Sequence, residues 1–148
     1  MVASERNVSM LNMADRQAIE HLVRGADAAA TLRDDAGYAA LYAEDGIMEG
    51  SKGKAEGRAA IRAAVKAVWA REPAGSEHLT RDITTAEEAG QIIARSHLLI
   101  VAPGLAAPFA QASVTQTVRR TDDGWRIARR LIAEATSGTE ATVSGGQP

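Results

Sequence analysis

The apolar positions of the chain fall into two textures. Up to about residue 70 they recur at helical spacing, and from about residue 76 they alternate as strands do. With Ile19 set at zero and about 100° per residue, Leu22, Val23, Ala26 and Ala30 lie within roughly 60° of it. His21 falls near 200° on the opposite face, at about 100° per residue, and Asp27 near 80°, on the edge of the apolar stripe. This predicts a helix over 15–32, capped by Asp15. A second, short helix is predicted over 36–43, anchored by Tyr38, Leu41 and Tyr42. AEDG then turns the chain into a short strand over 47–49. GRAAIRAAVKAVWA reads as a third helix, with Ile61, Val65, Val68 and Trp69 on one face and Arg58, Arg62 and Lys66 on the other. REPAG ends it.

Four β-type runs follow: SEHLTRDITT, QIIARSHLLIVA, FAQASVTQTVRRT and GWRIARRLIAEA. They are joined by EEAG, PGLAAP and DDG, which suit turns between antiparallel neighbours. In SEHLTRDI, strict alternation places His78, Thr80 and Asp82 on one face and Leu79 and Ile83 on the other. In the next run Ile92, Leu98 and Ile100 share one parity, and Ile93, Leu99 and Val101 the other. Both faces of that strand therefore call for cover. Helices supply one cover; a partner subunit on the outer face supplies the other, so a homodimer is expected. PGLAAP, with Leu105 between Pro103 and Pro108, is expected to be a mobile loop able to act as an apolar lid. The order gives an α+β class: a curved antiparallel sheet with about three helices gathered on one face.

Residues 1–13 lack a pattern and read as a flexible arm, and the Gly, Ser and Thr of 137–148 as a disordered tail, which leaves one domain over 14–136. Composition narrows the partners. A net charge of −2 and a pI near 5.9 speak against a nucleic-acid binder. With no cysteine, disulfides, thiolate metal sites and cysteine nucleophiles are excluded. MVASERNVSM has no apolar core of a secretory signal, and no apolar run reaches the ~18 residues of a membrane span, so a cytoplasmic protein is expected. Five aromatic residues leave the interior to Ala, Val, Ile and Leu, so any pocket is aliphatic with few polar points. GSKGKAEG, despite its glycines and lysines, has neither phosphate-loop nor dinucleotide spacing and reads as a flexible connection.

Three stretches carry a family resemblance. YAALYAEDGIMEG resembles the second helix and first strand of the SnoaL-like branch of the nuclear-transport-factor-2-like superfamily, GRAAIRAAV its third helix, and RRTDDGWRIARRLI its last hairpin. The resemblance covers roughly 14–135 and implies a cone: a sheet curled around the helices, enclosing one deep pocket. The superfamily includes polyketide cyclases, ketosteroid isomerases, scytalone-type dehydratases, epoxide hydrolases and non-catalytic domains, and fold alone does not choose among them.

His78 is the leading candidate. Its position resembles the catalytic histidine strand of the dehydratase-like members, where the imidazole points into the cone, and a histidine suits proton transfer at cellular pH. His97 resembles a second pocket histidine of that group and shares a face with Arg95. The same members place an acidic residue near the end of the first helix. That place falls on Ala30 or Thr31 here, and Asp27, one turn earlier, substitutes for it only if the helix is rotated or shifted. Glu49, ending the first strand, and Asp82 are candidate acids or substrate-binding groups, with Thr80 beside His78. The family often places an Arg five residues after the Trp, which is Arg130; pointing inward it would bind an enolate, carboxylate or carbonyl oxygen. Three scattered histidines without cysteine give no metal site, and no cofactor is expected. The expected activity is that of a small-molecule enzyme acting on a hydrophobic polyketide-like substrate, a cyclase or isomerase. The alternatives are a dehydratase or epoxide hydrolase, and a non-catalytic ligand-binding or dimerisation module.

Overall fold

A computed structural model of the chain describes residues 11–135. The arm expected over 1–13 and the tail over 137–148 lie outside the described residues, apart from 11–13. The first helix, α1, spans Met13–Thr31. Its cap is Asn12 rather than Asp15: the Asn12 side chain accepts the Asp15 N–H at 2.8 Å, and the Asp15 carboxylate accepts the Asn12 N–H at 3.3 Å. An Asn cap is as good as an Asp cap, and the pair forms a reciprocal capping box. α2 spans Asp35–Ala40, with the Asp34 carboxylate accepting the Gly37 N–H at 2.9 Å. α3 spans Arg58–Trp69 and buries Ile61, Val65 and Trp69, whereas Val68 is 41% exposed.

Six strands follow the expected order with one addition. They are β1 Tyr42–Gly50, β2 Gly53–Glu56, β3 Glu77–Glu88, β4 Gln91–Val101, β5 Ala110–Thr121 and β6 Gly124–Glu134. They form one sheet in the order β2-β1-β6-β5-β4-β3. All neighbours are antiparallel except β1 and β6, which run parallel. β1 is longer than expected because AEDG stays within it as an irregularity: pairing with β6 skips from Tyr42 to Ile47. A Cβ on Gly46 would lie 2.9 Å from that of Tyr42, so only glycine fits there. GSKGKAEG is a tight hairpin instead of a loose connection, with Glu49 opposite Lys54 and Gly50 opposite Gly53.

The helices lie against one face of the sheet. Ile19, Val23 and Ala26 of α1 and Ile61 and Val65 of α3 pack with Ile92, Ala94, Val118 and Ile127 of the strands. Leu98, Ile100, Ala112 and Val114 form a second apolar cluster farther along the same face. This is the α+β cone that the resemblance implies. No helix among the described residues is long and apolar enough to cross a membrane.

One local departure changes what the interior receives. β3 pairs regularly with β4 to Arg81 opposite His97, and resumes at Thr84 opposite Arg95. Two residues of β3 thus stand against Ser96 alone, and Asp82 takes a left-handed backbone with φ 54°. This bulge reverses the strand's alternation. Ile83, expected on the outer face with Leu79, turns in and packs on the core, while Asp82 turns out.

Candidate functional site

A cavity of about 220 Å³ opens between the helices and the concave face of the sheet. Its walls are mostly apolar: Ala30, Met48, Val65, Trp69, Leu98, Ile100 and Ile132. Four ionisable side chains break that lining deep in the cone: Asp27, Glu72, His78 and Arg130. Lys52 and Lys54 of the β1–β2 hairpin and Glu134 at the end of β6 also border it.

Asp27 faces inward because α1 is turned so that it joins Val23 and Ala30 on the buried stripe. It is 2% exposed, and so is Arg130. The Arg130 guanidinium donates to Asp27 Oδ1 at 2.9 Å and to Gln116 Oε1 at 2.6 Å. Thr80 donates its hydroxyl to Asp27 Oδ2 at 2.5 Å. Burial works against the Arg130 charge, but Tyr38, Asp27 and Tyr42 around it outweigh that, so its pKa lies above the ordinary arginine value. The guanidinium also lies 5.9 Å from the centre of the Tyr38 ring, a cation–π contact. Arg130 Nε and Gln116 Nε2 are buried donors that have no hydrogen-bond partner among the described residues.

Tyr38 and Tyr42 close the wall beside this pair. Their hydroxyls are 3.0 Å apart, and the Tyr38 hydroxyl is 3.5 Å from Met48 Sδ. Tyr38 also meets Trp69 edge-on, at 5.4 Å between ring centres. Burial first, and then the neighbouring Tyr38, push the Tyr42 hydroxyl well above the ordinary tyrosine pKa. The native state thus keeps a proton that the unfolded chain releases near pH 10. Its stabilising effect is complete below that pH and is lost as pH rises past it, by about 1.4 kcal/mol per pH unit. Urea unfolding between about pH 10 and 11 should show this slope, and Tyr42→Phe should remove that part of it. An unchanged slope would mean that Tyr42 ionises freely in the native protein.

His78 is 9% exposed, and its position is fixed at both backbone and ring. Its N–H donates to Thr31 Oγ1 at 2.8 Å, which ties the start of β3 to the end of α1. Thr31 thus occupies one of the places where the resemblance puts an acidic residue and uses it to hold a strand. The His78 ring does not bond Asp27. Its Nε2 lies 2.9 and 3.0 Å from the two oxygens of Glu72. Glu72 follows α3 in the turn that REPAG was expected to provide, and its Oε1 accepts from Arg33 Nη1 at 2.8 Å. Sequence reasoning missed Glu72 because a carboxylate in a helix-ending segment carries no periodic signal. Gln116 was missed because a lone polar residue on an inward strand position gives none either.

Three expected site residues lie on the outer side of the sheet, and Thr80, though bonded to Asp27, does not itself line the cavity. His97 and Asp82 sit on the convex face of the sheet, with side chains 59% and 74% exposed, 3.3 Å apart. For Asp82 the cause is the bulge. For His97 it is parity: Ser96, Leu98 and Ile100 take the inward positions of β4, which leaves Arg95 and His97 outward. Glu49 pairs with Arg129 on that same outer side, because it stands opposite outward-facing Leu131. None of the residues 103–108 borders the cavity, so the PGLAAP loop is not placed to cover it. Asp27, His78 and Arg130 line the cavity and Thr80 joins them through Asp27, whereas His97, Asp82 and Glu49 lie on the outer side of the sheet.

Comparison with known proteins agrees with the cone. No curated protein matches the chain. A protein of unknown function with a cystatin-like fold from Nostoc punctiforme superposes with a TM-score of 0.78 at 23% identity, over 86% of this chain and 96% of that one. A nuclear-transport-factor-2-like protein from Novosphingobium aromaticivorans gives a TM-score of 0.73 at 27% identity, over 88% of each chain. ActVI-ORFA from Streptomyces coelicolor gives 0.68 at 23% identity, over 80% of this chain and 95% of that one. Residues 12–131, nearly the whole described part, match the SnoaL-like domain, and the chain belongs to that family.

Proposed function

We propose that the protein is a cofactor-independent enzyme that holds a hydrophobic, polyketide-like small molecule in the cone and moves a proton on it, closing a ring or shifting a double bond. One observation carries the reading: an aliphatic cavity whose few polar groups include a histidine seated at its wall and a fully buried Asp27–Arg130 pair. Aliphatic walls fold a flexible apolar substrate, and holding reacting atoms in near-attack geometry is worth about 7–11 kcal/mol. His78 carries the proton. Arg130, close to the developing negative charge on a carbonyl oxygen, stabilises it. At about 220 Å³ the cavity lies below the ~300 Å³ from which ligand sites usually start, which favours compact substrates. A dehydratase reading is weaker because Asp27 and His78 are each bonded to other partners. The test is deuterium uptake from heavy water into the acidic C–H of compact, hydrophobic 1,3-diketones, followed by mass spectrometry. Uptake faster than buffer supports the reading; tight binding without uptake supports a ligand-binding module.

The outer sheet face bears on assembly. Leu79 stands opposite Leu99 on the convex side, and Leu79 and Leu131 are 39% and 41% exposed there. Two copies meeting through this face would cover them. Sedimentation at micromolar concentration should give about twice 15.6 kDa; a monomer counts against the dimer.

A further inference from the structure

We infer that Glu72, clamped by Arg33, is a positioning residue that fixes the His78 ring so that Nδ1, not Nε2, is the nitrogen that exchanges a proton with the substrate. This rests on the reading of His78 as the proton carrier. Both Glu72 oxygens face Nε2, at 2.9 and 3.0 Å. An ionised carboxylate only accepts, so Nε2 must carry a hydrogen. Arg33 Nη1 donates to Glu72 Oε1 at 2.8 Å, so the carboxylate lies between two donors, Arg33 and the His78 ring. Nδ1 has no hydrogen-bond partner among the described residues, and His78 lines the cavity. In the neutral ring the free lone pair is therefore on Nδ1.

The support for Glu72 is built in from two sides. The Glu72 N–H donates to Trp69 O at 3.1 Å, and Pro73 O accepts from both the Ser76 N–H and the Ser76 hydroxyl, at 3.2 and 2.6 Å, which closes the turn carrying the carboxylate. Arg33 adopts a left-handed backbone, φ 57°, at the end of α1, and its guanidinium also donates to Ala30 O at 2.9 Å. A non-glycine residue is held in that conformation only when its surroundings over-determine it. The Glu72 side chain itself is 4% exposed, so water does not compete for the histidine proton. The consequence for substrate is geometric: the C–H that loses its proton must lie on the Nδ1 side of the ring, within the cavity.

Histidine 15N spectra of the full chain at about pH 8, above the ordinary histidine range, test this without a substrate. His21→Gln and His97→Gln assign the two exposed rings. Wild type should show His78 with a bare Nδ1 and a slowly exchanging Nε2–H. Glu72→Gln, whose amide oxygen still accepts, should keep that proton; Glu72→Ala should lose it to fast exchange. A bare Nε2, a ring protonated on both nitrogens, or an Nε2–H unaffected by Glu72→Ala overturns the inference. If diketone exchange fails while the spectra hold, the functional reading falls and the ring assignment stands.

Discussion

His78→Ala should leave a folded protein whose proton-exchange rate on its substrate is lower by roughly 10²–10⁴-fold, the usual contribution of a positioned general acid or base. The fold should survive because the ring contributes one wall of a cavity rather than a packed core, and Glu72 keeps Arg33 as a partner when the imidazole is gone. Exchange rates with the same diketone and thermal unfolding of the same sample make the comparison. A loss of only a few-fold would mean that shape alone orients the substrate. A lower unfolding temperature with full specific activity would make His78 a structural residue and sink the site assignment.

Asp27→Ala should cost about 3–5 kcal/mol of stability, the price of leaving a buried guanidinium unpaired. Arg130 would keep the Gln116 hydrogen bond and the Tyr38 ring, having lost the carboxylate that neutralises it. At about 2–4 °C per kcal/mol this lowers the unfolding midpoint by roughly 6–20 °C. The contrast that identifies the cause is the double replacement Asp27→Leu with Arg130→Met. Removing both charges and filling the space should bring stability back to within about 1 kcal/mol of wild type, or above it. A mild Asp27→Ala would show that Arg130 reaches water in the native state, against its 2% exposure. The two experiments separate roles: the ion pair is tested by unfolding, His78 by turnover.

Much of the frame was legible because long-period signals are redundant. Ile19, Leu22, Val23 and Ala26 repeat one message over two turns, and four alternating runs repeat another over a sheet. The family resemblance then supplied the closing of the sheet into a cone with one deep pocket, which periodicity does not contain. What failed were features set by single residues. The bulge at Asp82 has no sequence signature beyond an Asp that tolerates a left-handed backbone, yet it inverted the prediction for two side chains. His97 was misplaced for a different reason: with apolar residues on both parities of 91–101, the strand does not say which face is the cone. Asp27 sat at the margin of its helical stripe, about 80° off at 100° per residue, where a small rotation decides between solvent and interior. The structure turned it in, with Arg130 and Thr80 as the partners that make burial tolerable. Glu72 acts through a turn, and a contact between a turn and a strand is not a periodic event.

The bulge also bears on solubility. β3 is one of the two outer strands of the sheet, and beyond His78, whose N–H is taken by Thr31, its free side offers backbone donors and acceptors to an extended chain that meets it. A regular twelve-residue strand would be a template for edge-to-edge stacking. Here the extra residue at Asp82 breaks the spacing of those groups midway, and exposed Glu77, Arg81, Asp82, Glu87 and Glu88 line the same strand with charge. The opposite edge, β2, is too short at four residues to recruit a neighbour. The kink that sorts side chains between cavity and surface thus also breaks the regular edge that strand-on-strand stacking needs.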